Sequence, residues 1–224
     1  MDEIKILELK RSVFADNDQE AQNLRDQLKA EKTCLINIMS SPGAGKTSTL
    51  LQLAKELNGK VRWAVLEADI DSAVDTEKMV QAGVQSIQIH TGGMCHLDAD
   101  MARQGLLELG TADMDLVFLE NIGNLVCPAS FDTGAVKNMT ILSVPEGDDK
   151  PLKYPRMYEK CQLLVINKID VLEYFDFDKD KVIEYAKMRN PEIEILFVSA
   201  KTGEGIPELA EWILKQVNDW NCNN

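Results

Sequence analysis

Leu35-Ile36-Asn37-Ile38-Met39-Ser40-Ser41-Pro42-Gly43-Ala44-Gly45-Lys46-Thr47 is a strand-like apolar run that empties into a glycine-rich turn. From Lys46 to Leu57 the period changes, and Leu50, Leu53, Ala54 and Leu57 fall on one face of a helix. Strand, loop and helix in this order are the setting of a phosphate-binding loop. Glycines let backbone N–H groups converge on phosphate oxygens, and the helix N-terminus adds its positive end. Lys46 can reach the β and γ phosphates, Thr47 can offer an oxygen to Mg²⁺, and Gly43, Ala44, Gly45 and Ser48 complete the candidate cradle. The first position of the usual pattern is Ser40 rather than glycine, so its backbone must take a conformation open to serine. A purely structural glycine-rich turn is the competing reading.

Outward from this stretch, short apolar runs alternate with helical ones. Strands are expected at Cys34 to Met39, Val61 to Glu67, Ser86 to His90, Leu116 to Glu120, Met139 to Val144, Gln162 to Asn167 and Glu194 to Ser199. A second apolar stripe, Leu209, Trp212, Ile213, Val217 and Trp220, marks a helix from Pro207 to Trp220. The pattern predicts an α/β fold, a P-loop NTPase domain with a mainly parallel sheet and helices on both faces. Residues 1–32 are polar and charged, with Leu24 and Leu28 one helical turn apart, and read as an N-terminal helical extension to a domain spanning 33–224. Glu146-Gly147-Asp148-Asp149-Lys150-Pro151 reads as a polar loop.

The later strands deliver further polar groups at their C-terminal ends, where ligands gather in open α/β sheets. Asn167-Lys168-Ile169-Asp170 resembles the base-specificity motif of GTPases, and Ser199-Ala200-Lys201 resembles its companion. A carboxylate at Asp170 can accept from both N1–H and the exocyclic amine of guanine, a donor pair that adenine lacks. Guanine is therefore favoured, with the bland alternative of polar loops after strands. Glu120 ends an apolar strand and can hold Mg²⁺ through water, while the N–H of Gly123 can sense a γ-phosphate. Asp69 and Asp75 follow another strand and are candidates for orienting the attacking water or the metal. A solvated acidic loop with a helix cap competes for both, and is the preferred reading of Asp71.

Two softer groups stand apart from this oxygen chemistry. Gly92-Gly93-Met94-Cys95-His96-Leu97-Asp98-Ala99 puts a thiol beside an imidazole at an expected helix start, where the helix would lower the thiol pKa. Cys127 follows Glu120 by seven residues, in Gly123-Asn124-Leu125-Val126-Cys127-Pro128-Ala129. Thiolate and imidazole are transition-metal ligands, so Cys95, His96 and Cys127 form a candidate Ni²⁺ or Zn²⁺ set. A loop running from a magnesium-linked acid to a metal thiolate could couple phosphate state to metal affinity. Cys127 as a small buried hydrophobe and His96 as a cap or core residue remain open. Three donors fall one short of a closed tetrahedral shell, so a second subunit or a water would have to complete it.

These stretches together resemble the hydrogenase nickel-incorporation GTPases of the HypB type, within the P-loop class that includes signal-recognition and MinD-like proteins. The resemblance runs from about residue 33 to 215 and rests on Gly-Lys-Thr, Gly-Gly-Met-Cys-His-Leu-Asp-Ala, Glu-Asn-Ile-Gly-Asn-Leu-Val-Cys-Pro-Ala, Glu-Gly-Asp-Asp and Asn-Lys-Ile-Asp. It implies GTP hydrolysis to GDP, nickel delivery to [NiFe]-hydrogenase, and a homodimer in the GTP state with Ni²⁺ or Zn²⁺ at its interface, on Cys95, His96 and Cys127. A hydrogenase maturation partner and the hydrogenase large subunit are implied partners. The Cys-x-x-Cys-Gly-Cys site and the histidine-rich stretch of many members do not occur in these residues, so nickel storage is not expected. Urease-type and other metallocentre-assembly GTPases are the alternative. A P-loop small-molecule kinase would leave Asn167 to Asp170 and the cysteines without a role.

Composition narrows the remaining classes. The 224 residues carry 24 Lys and Arg against 37 Asp and Glu, a net charge of −13 that repels a phosphate backbone, and no nucleic-acid partner is expected. The N-terminus lacks a basic region followed by an apolar core, and no apolar run approaches a membrane span of about 18 residues, so a cytoplasmic protein is expected. Five cysteines, an odd number, suit reduced thiols rather than a disulfide framework.

Overall fold

The computed structural model describes residues 2–69, 74–91 and 93–222, with the side chains of 2–15, 69 and 74–76 outside the description. Strands β1 (Cys34–Ser40), β2 (Trp63–Asp69), β3 (Gln85–His90), β4 (Leu116–Glu120), β5 (Lys137–Ser143), β6 (Leu163–Asn167) and β7 (Glu194–Phe197) correspond one for one with the seven expected. They form one sheet in the order β3-β2-β4-β1-β5-β6-β7. Every neighbouring pair is parallel, as βαβ connections require. The helices are α1 (Asp2–Glu31), α2 (Lys46–Leu57), α3 (Val74–Gln81), α4 (Ala99–Leu109), α5 (Lys150–Lys153), α6 (Pro155–Glu159), α7 (Lys179–Arg189) and α8 (Ile206–Cys222). Among the described residues no helix is long and apolar enough to cross a membrane.

Strand alternation sorts the apolar residues into two layers. Ile36, Ile38, Leu116, Phe118, Leu163 and Val165 point to one face, where Leu50, Leu53 and Leu57 of α2 and Leu209, Ile213 and Val217 of α8 cover them. On the other face Leu35, Val117 and Leu119 meet Leu24 and Leu28 of α1 and Leu106 of α4, while Leu164 and Ile166 meet Val182 and Ala186 of α7. Leu24 and Leu28 are fully buried, each contributing about 1.5–3 kcal/mol. The C-terminal half of α1 is therefore packed into the sheet's own core. Between the two clusters on this face Asn37 is buried, donating to Asn138 Oδ1 at 2.9 Å and accepting from Asn121 Nδ2 at 3.1 Å.

Boundaries moved where tertiary bonds claim strand ends. The backbone of Arg62 bonds Asp115 and Leu116 instead of a ladder partner, so β2 begins at Trp63 and runs on to Asp69 opposite His90. The stretch from Glu146 to Pro151, expected as a loop, is partly helical: a 3₁₀ turn at Val144–Glu146 is followed by α5. The reason is local, because the Glu146 carboxylate accepts from both N–H and Oγ of Ser143. Cys95 and His96 do not open a helix. Asp98 is the N-cap of α4, accepting from Met101 N at 2.9 Å, and the thiol lies in the loop before it.

Candidate functional site

β1 lies at the centre of the sheet between β4 and β5, and its C-terminal end releases the phosphate-binding loop at this switch point. Ser40 closes the strand with negative φ, so serine is unstrained there, and its Oγ accepts from Lys46 Nζ at 3.1 Å. Gly43 and Gly45 take positive φ, 75° and 102°, where a side chain would be strained. Ser41 Oγ donates to Glu146, so the supposed polar loop also braces this turn. Thr47, in the first turn of α2, donates its hydroxyl to Glu120 Oε1 at 3.0 Å. A hydroxyl and a buried carboxylate side by side are hard oxygen donors that fit Mg²⁺. Gly123 abuts Pro42, where an added Cβ would come within 3.0 Å of its Cα.

A cavity of about 320 Å³ lies over Gly43, Lys46, Thr47 and Glu120. A second of about 320 Å³ is lined by Asn167, Lys168, Asp170, Ala200 and Lys201. Both include Gly45, Ser48 and Lys168, so they form one cleft with a phosphate end and a base end. Asn167 ties the ends together. Its amide donates to Ala44 O at 2.9 Å and accepts from Lys168 N at 2.7 Å and Ala200 N at 3.0 Å. Lys168, at φ 64°, donates to Gly43 O at 2.7 Å. Asp170 accepts from Ser199 Oγ at 2.6 Å and faces Lys201 Nζ at 3.7 Å. The serine hydrogen bond first, and the lysine with it, hold its carboxyl below the ordinary range, so it stays an acceptor. The structure thus brings Asn167, Lys168, Asp170, Ala200 and Lys201 to one cleft with the phosphate loop, with Ser199 bonded to Asp170 and Ile169 turned to the core.

Asp69 and Asp75 fall differently. Backbone positions place Asp69 at the end of β2, two residues beyond Glu67, which pairs with Glu120, and Asp75 in the first turn of α3. Their side chains, like Asp71 and Gly92, lie outside the described residues. Lys78, one turn after Asp75, lines the phosphate end and was not singled out from sequence, since a lone helical lysine carries no spacing signal.

The thiols meet on a neighbouring rim. Cys95 is exposed and Cys127 is half-buried. The neighbouring Cys127 thiol, chiefly through hydrogen bonding, pushes the Cys95 pKa up, the reverse of the lowering expected from a helix terminus. A cation taking both sulfurs must therefore displace a proton. His96 Nδ1 lies 3.8 Å from Cys95 Sγ, and its ring stacks on Phe131 with centroids 3.7 Å apart. Burial lowers its pKa and keeps the imidazole neutral, the form that binds metal. Asn124 joins the two loops, donating to Cys95 O at 3.4 Å and accepting from Val126 N at 2.8 Å. Among the described residues, however, no group of three His, Cys, Asp or Glu side chains converges on a single cation-sized position.

The model of the CobW/HypB/UreG nucleotide-binding domain matches residues 34–197. Hydrogenase maturation factor HypB of Escherichia coli K12 is 41% identical over 216 residues, covering 96% of this chain and 74% of that one. A hydrogenase/urease maturation factor HypB of Helicobacter hepaticus is 38% identical over 213 residues, 93% of this chain and 87% of that one. The crystal structure of HypB from Helicobacter pylori in complex with nickel superposes with a TM-score of 0.86 at 36% identity, covering 91% of this chain and 96% of that one. The same motifs on the same sheet, with this identity along nearly the whole chain, leave one assignment: the chain belongs to the HypB family of hydrogenase maturation factors, built on the CobW/HypB/UreG nucleotide-binding domain.

Proposed function

We propose that this protein is a GTP-hydrolysing switch that delivers nickel during [NiFe]-hydrogenase maturation, closing as a homodimer with GTP and opening after hydrolysis. One observation carries the reading. Glu120 touches the phosphate-loop Thr47, and the segment that begins at Glu120 reaches Asn124, which links the Cys95 loop to the backbone of Cys127. A change at the phosphate end therefore has a short route to the thiols, along the chain to Cys127 and through the Asn124 hydrogen bond to the Cys95 loop.

In this reading the base end binds guanine through ionised Asp170, with Asn167, Lys168, Ser199, Ala200 and Lys201 holding the pocket in shape. Gly43, Ala44, Gly45, Lys46, Thr47 and Ser48 receive the phosphates. Thr47 and Glu120 would hold Mg²⁺, which supplies charge neutralisation on the β and γ oxygens. Gly123 reports whether a γ-phosphate is present, and Asp69 or Asp75 orients water. Cys95, His96 and Cys127 receive the cargo Ni²⁺, or Zn²⁺ in its place, and a second copy completes the shell that one copy leaves open. The hydrogenase large subunit and a maturation partner are the proposed recipients, in the cytoplasm.

The test is a Ni²⁺ titration of the full chain loaded with GDP or with a nonhydrolysable GTP analogue, with the mass followed by light scattering. The expected result is a dimer with the GTP analogue and a metal affinity that differs between the two nucleotide states, both weakened by Cys95→Ala or Cys127→Ala while nucleotide affinity holds. Metal binding indifferent to nucleotide would reduce the protein to a passive buffer.

A further inference from the structure

The segments that carry Cys95, His96 and Cys127 lie between β3 and α4 and between β4 and β5, and among the described residues no ladder joins them. Loops without a ladder take their relative position from side chains. Here the principal clamp comes from α1, a helix more than sixty residues away in sequence. Asn17 Oδ1 accepts from Ala99 N at 2.9 Å, at the end of the Cys95 loop, and its Nδ2 donates to Asp132 O at 2.9 Å, at the end of the Cys127 loop. One amide therefore spans both.

Two turns further along α1, Arg25 grips the Asp132 carboxylate with two bonds of 2.9 Å, and the same carboxylate accepts from Gly134 N. A forked pair fixes orientation as well as distance. Leu24 packs so closely on Gly134 that an added Cβ would come within 2.8 Å of its Cδ2. Beside Asp132, Phe131 stacks on His96 with the ring planes 12° apart. Beside this loop is a cavity of about 120 Å³ bordered by Arg25, Met39, Pro128, Phe131 and Asp132. Ala129 anchors the loop in the core, while the stretch at Phe131 and Asp132 borders open space and leans on α1.

We propose that α1 is a bracket for the thiol loops. Asn17 and Arg25 are positioning residues that set the Cys95 loop against the Cys127 loop, and Phe131 sets the rotation of the His96 ring. The two loops and the His96 ring are thereby held near one another before a divalent cation arrives, and what is left for the cation is to draw together donors that do not yet converge in one copy. The proposal rests on the reading that Cys95, His96 and Cys127 receive Ni²⁺, but its structural half holds without metal.

The experiment compares the full chain with Asn17→Ala, Arg25→Ala and Arg25→Lys, the last keeping charge and stem but not the fork. Two readouts are taken. Ni²⁺ affinity is followed by the thiolate-to-nickel charge-transfer band, and the upfield ring-current shift of the His96 ring protons is followed by NMR without metal. Ni²⁺ affinity should fall roughly tenfold, in line with the effect of residues that orient ligands. The His96 shift should diminish, and GDP affinity should stay unchanged. Charge exchange, Arg25→Asp with Asp132→Arg, should restore part of both signals. Wild-type affinity, band and His96 shift in Asn17→Ala and Arg25→Lys would overturn the bracket. A wild-type chain that shows no thiolate band would instead overturn the cargo reading, while the metal-free His96 shift still decides the bracket. If Arg25→Ala does not fold, Arg25→Lys and Asn17→Ala carry the same test.

Discussion

Replacing Gly45 by alanine probes how the phosphate loop is joined to the base loop. Gly45 caps α2 at φ 102° and ψ 33°, and a non-glycine residue there costs about 1–3 kcal/mol of backbone strain. The new Cβ would also lie 2.4 Å from Asn167 Nδ2, far inside contact distance. Asn167 is 1% exposed in the folded chain and makes three hydrogen bonds, to Ala44, Lys168 and Ala200. Displacing it forfeits about 1 kcal/mol for each, roughly 3 kcal/mol together. The combined loss is on the order of 4–6 kcal/mol, against a typical total stability of about 5–15 kcal/mol. Urea unfolding of the nucleotide-free protein measures this directly. A double-mutant cycle isolates the contact: with Asn167→Ala already present, Gly45→Ala should cost only the backbone part, about 1–3 kcal/mol. If Gly45→Ala costs as much in that background as in the wild type, the clash with Asn167 is not the cause and the reasoning is refuted.

Asp170→Asn removes an acceptor held ionised by Ser199 and Lys201, so GTP affinity should fall roughly 100-fold or more while xanthosine triphosphate affinity rises, read by calorimetry. An unchanged preference would remove Asp170 from the base site. Thr47→Ala deletes the hydroxyl on Glu120, and Mg²⁺-dependent nucleotide affinity should drop while affinity measured in chelator barely moves. Acid should loosen the Arg25–Asp132 clamp. Burial raises the Asp132 carboxyl, but the Arg25 and Gly134 hydrogen bonds outweigh it and hold the pKa below its ordinary value of about 3.9. A depressed carboxyl stabilises the folded state above that value and loses the contribution as pH falls through the folded pKa. The stability difference between wild type and Arg25→Ala should accordingly be constant from about pH 7 to 5 and shrink below about pH 4. A difference unchanged down to about pH 3 would contradict the assignment.

Much of the fold is legible along the chain because its signals are local. The inner strands are short apolar runs buried on both faces, as with the fully buried Leu163 to Ile166, and such runs announce themselves whatever surrounds them. The nucleotide residues are equally legible, since Gly-Lys-Thr and Asn-Lys-Ile-Asp each carry their meaning within a few positions. Boundaries were less so: β2 starts two residues late because Arg62 bonds Asp115, 53 residues on. The Cys95 loop resisted reading in the same way. Its apparent helix start belongs to Asp98, and its thiol pKa is set by Cys127 rather than by a helix.

The order of residues by itself determined the chemistry available: which strand ends carry a carboxylate, which loop is rich in glycine, and which few positions hold thiol or imidazole. Periodicity and short motifs act within one element, so they survive without knowledge of any neighbour. Only the tertiary structure decided how these groups are combined. Asn17 reaches Asp132 across 115 positions, and Arg25 reaches it across 107. His96 rests on Phe131, and the two thiols come together while the three metal-ligand candidates do not converge in one copy. Such contacts depend on how helices and loops pack over a shared sheet, and side-chain hydrogen bonds between distant loops leave no periodic trace in the chain that makes them.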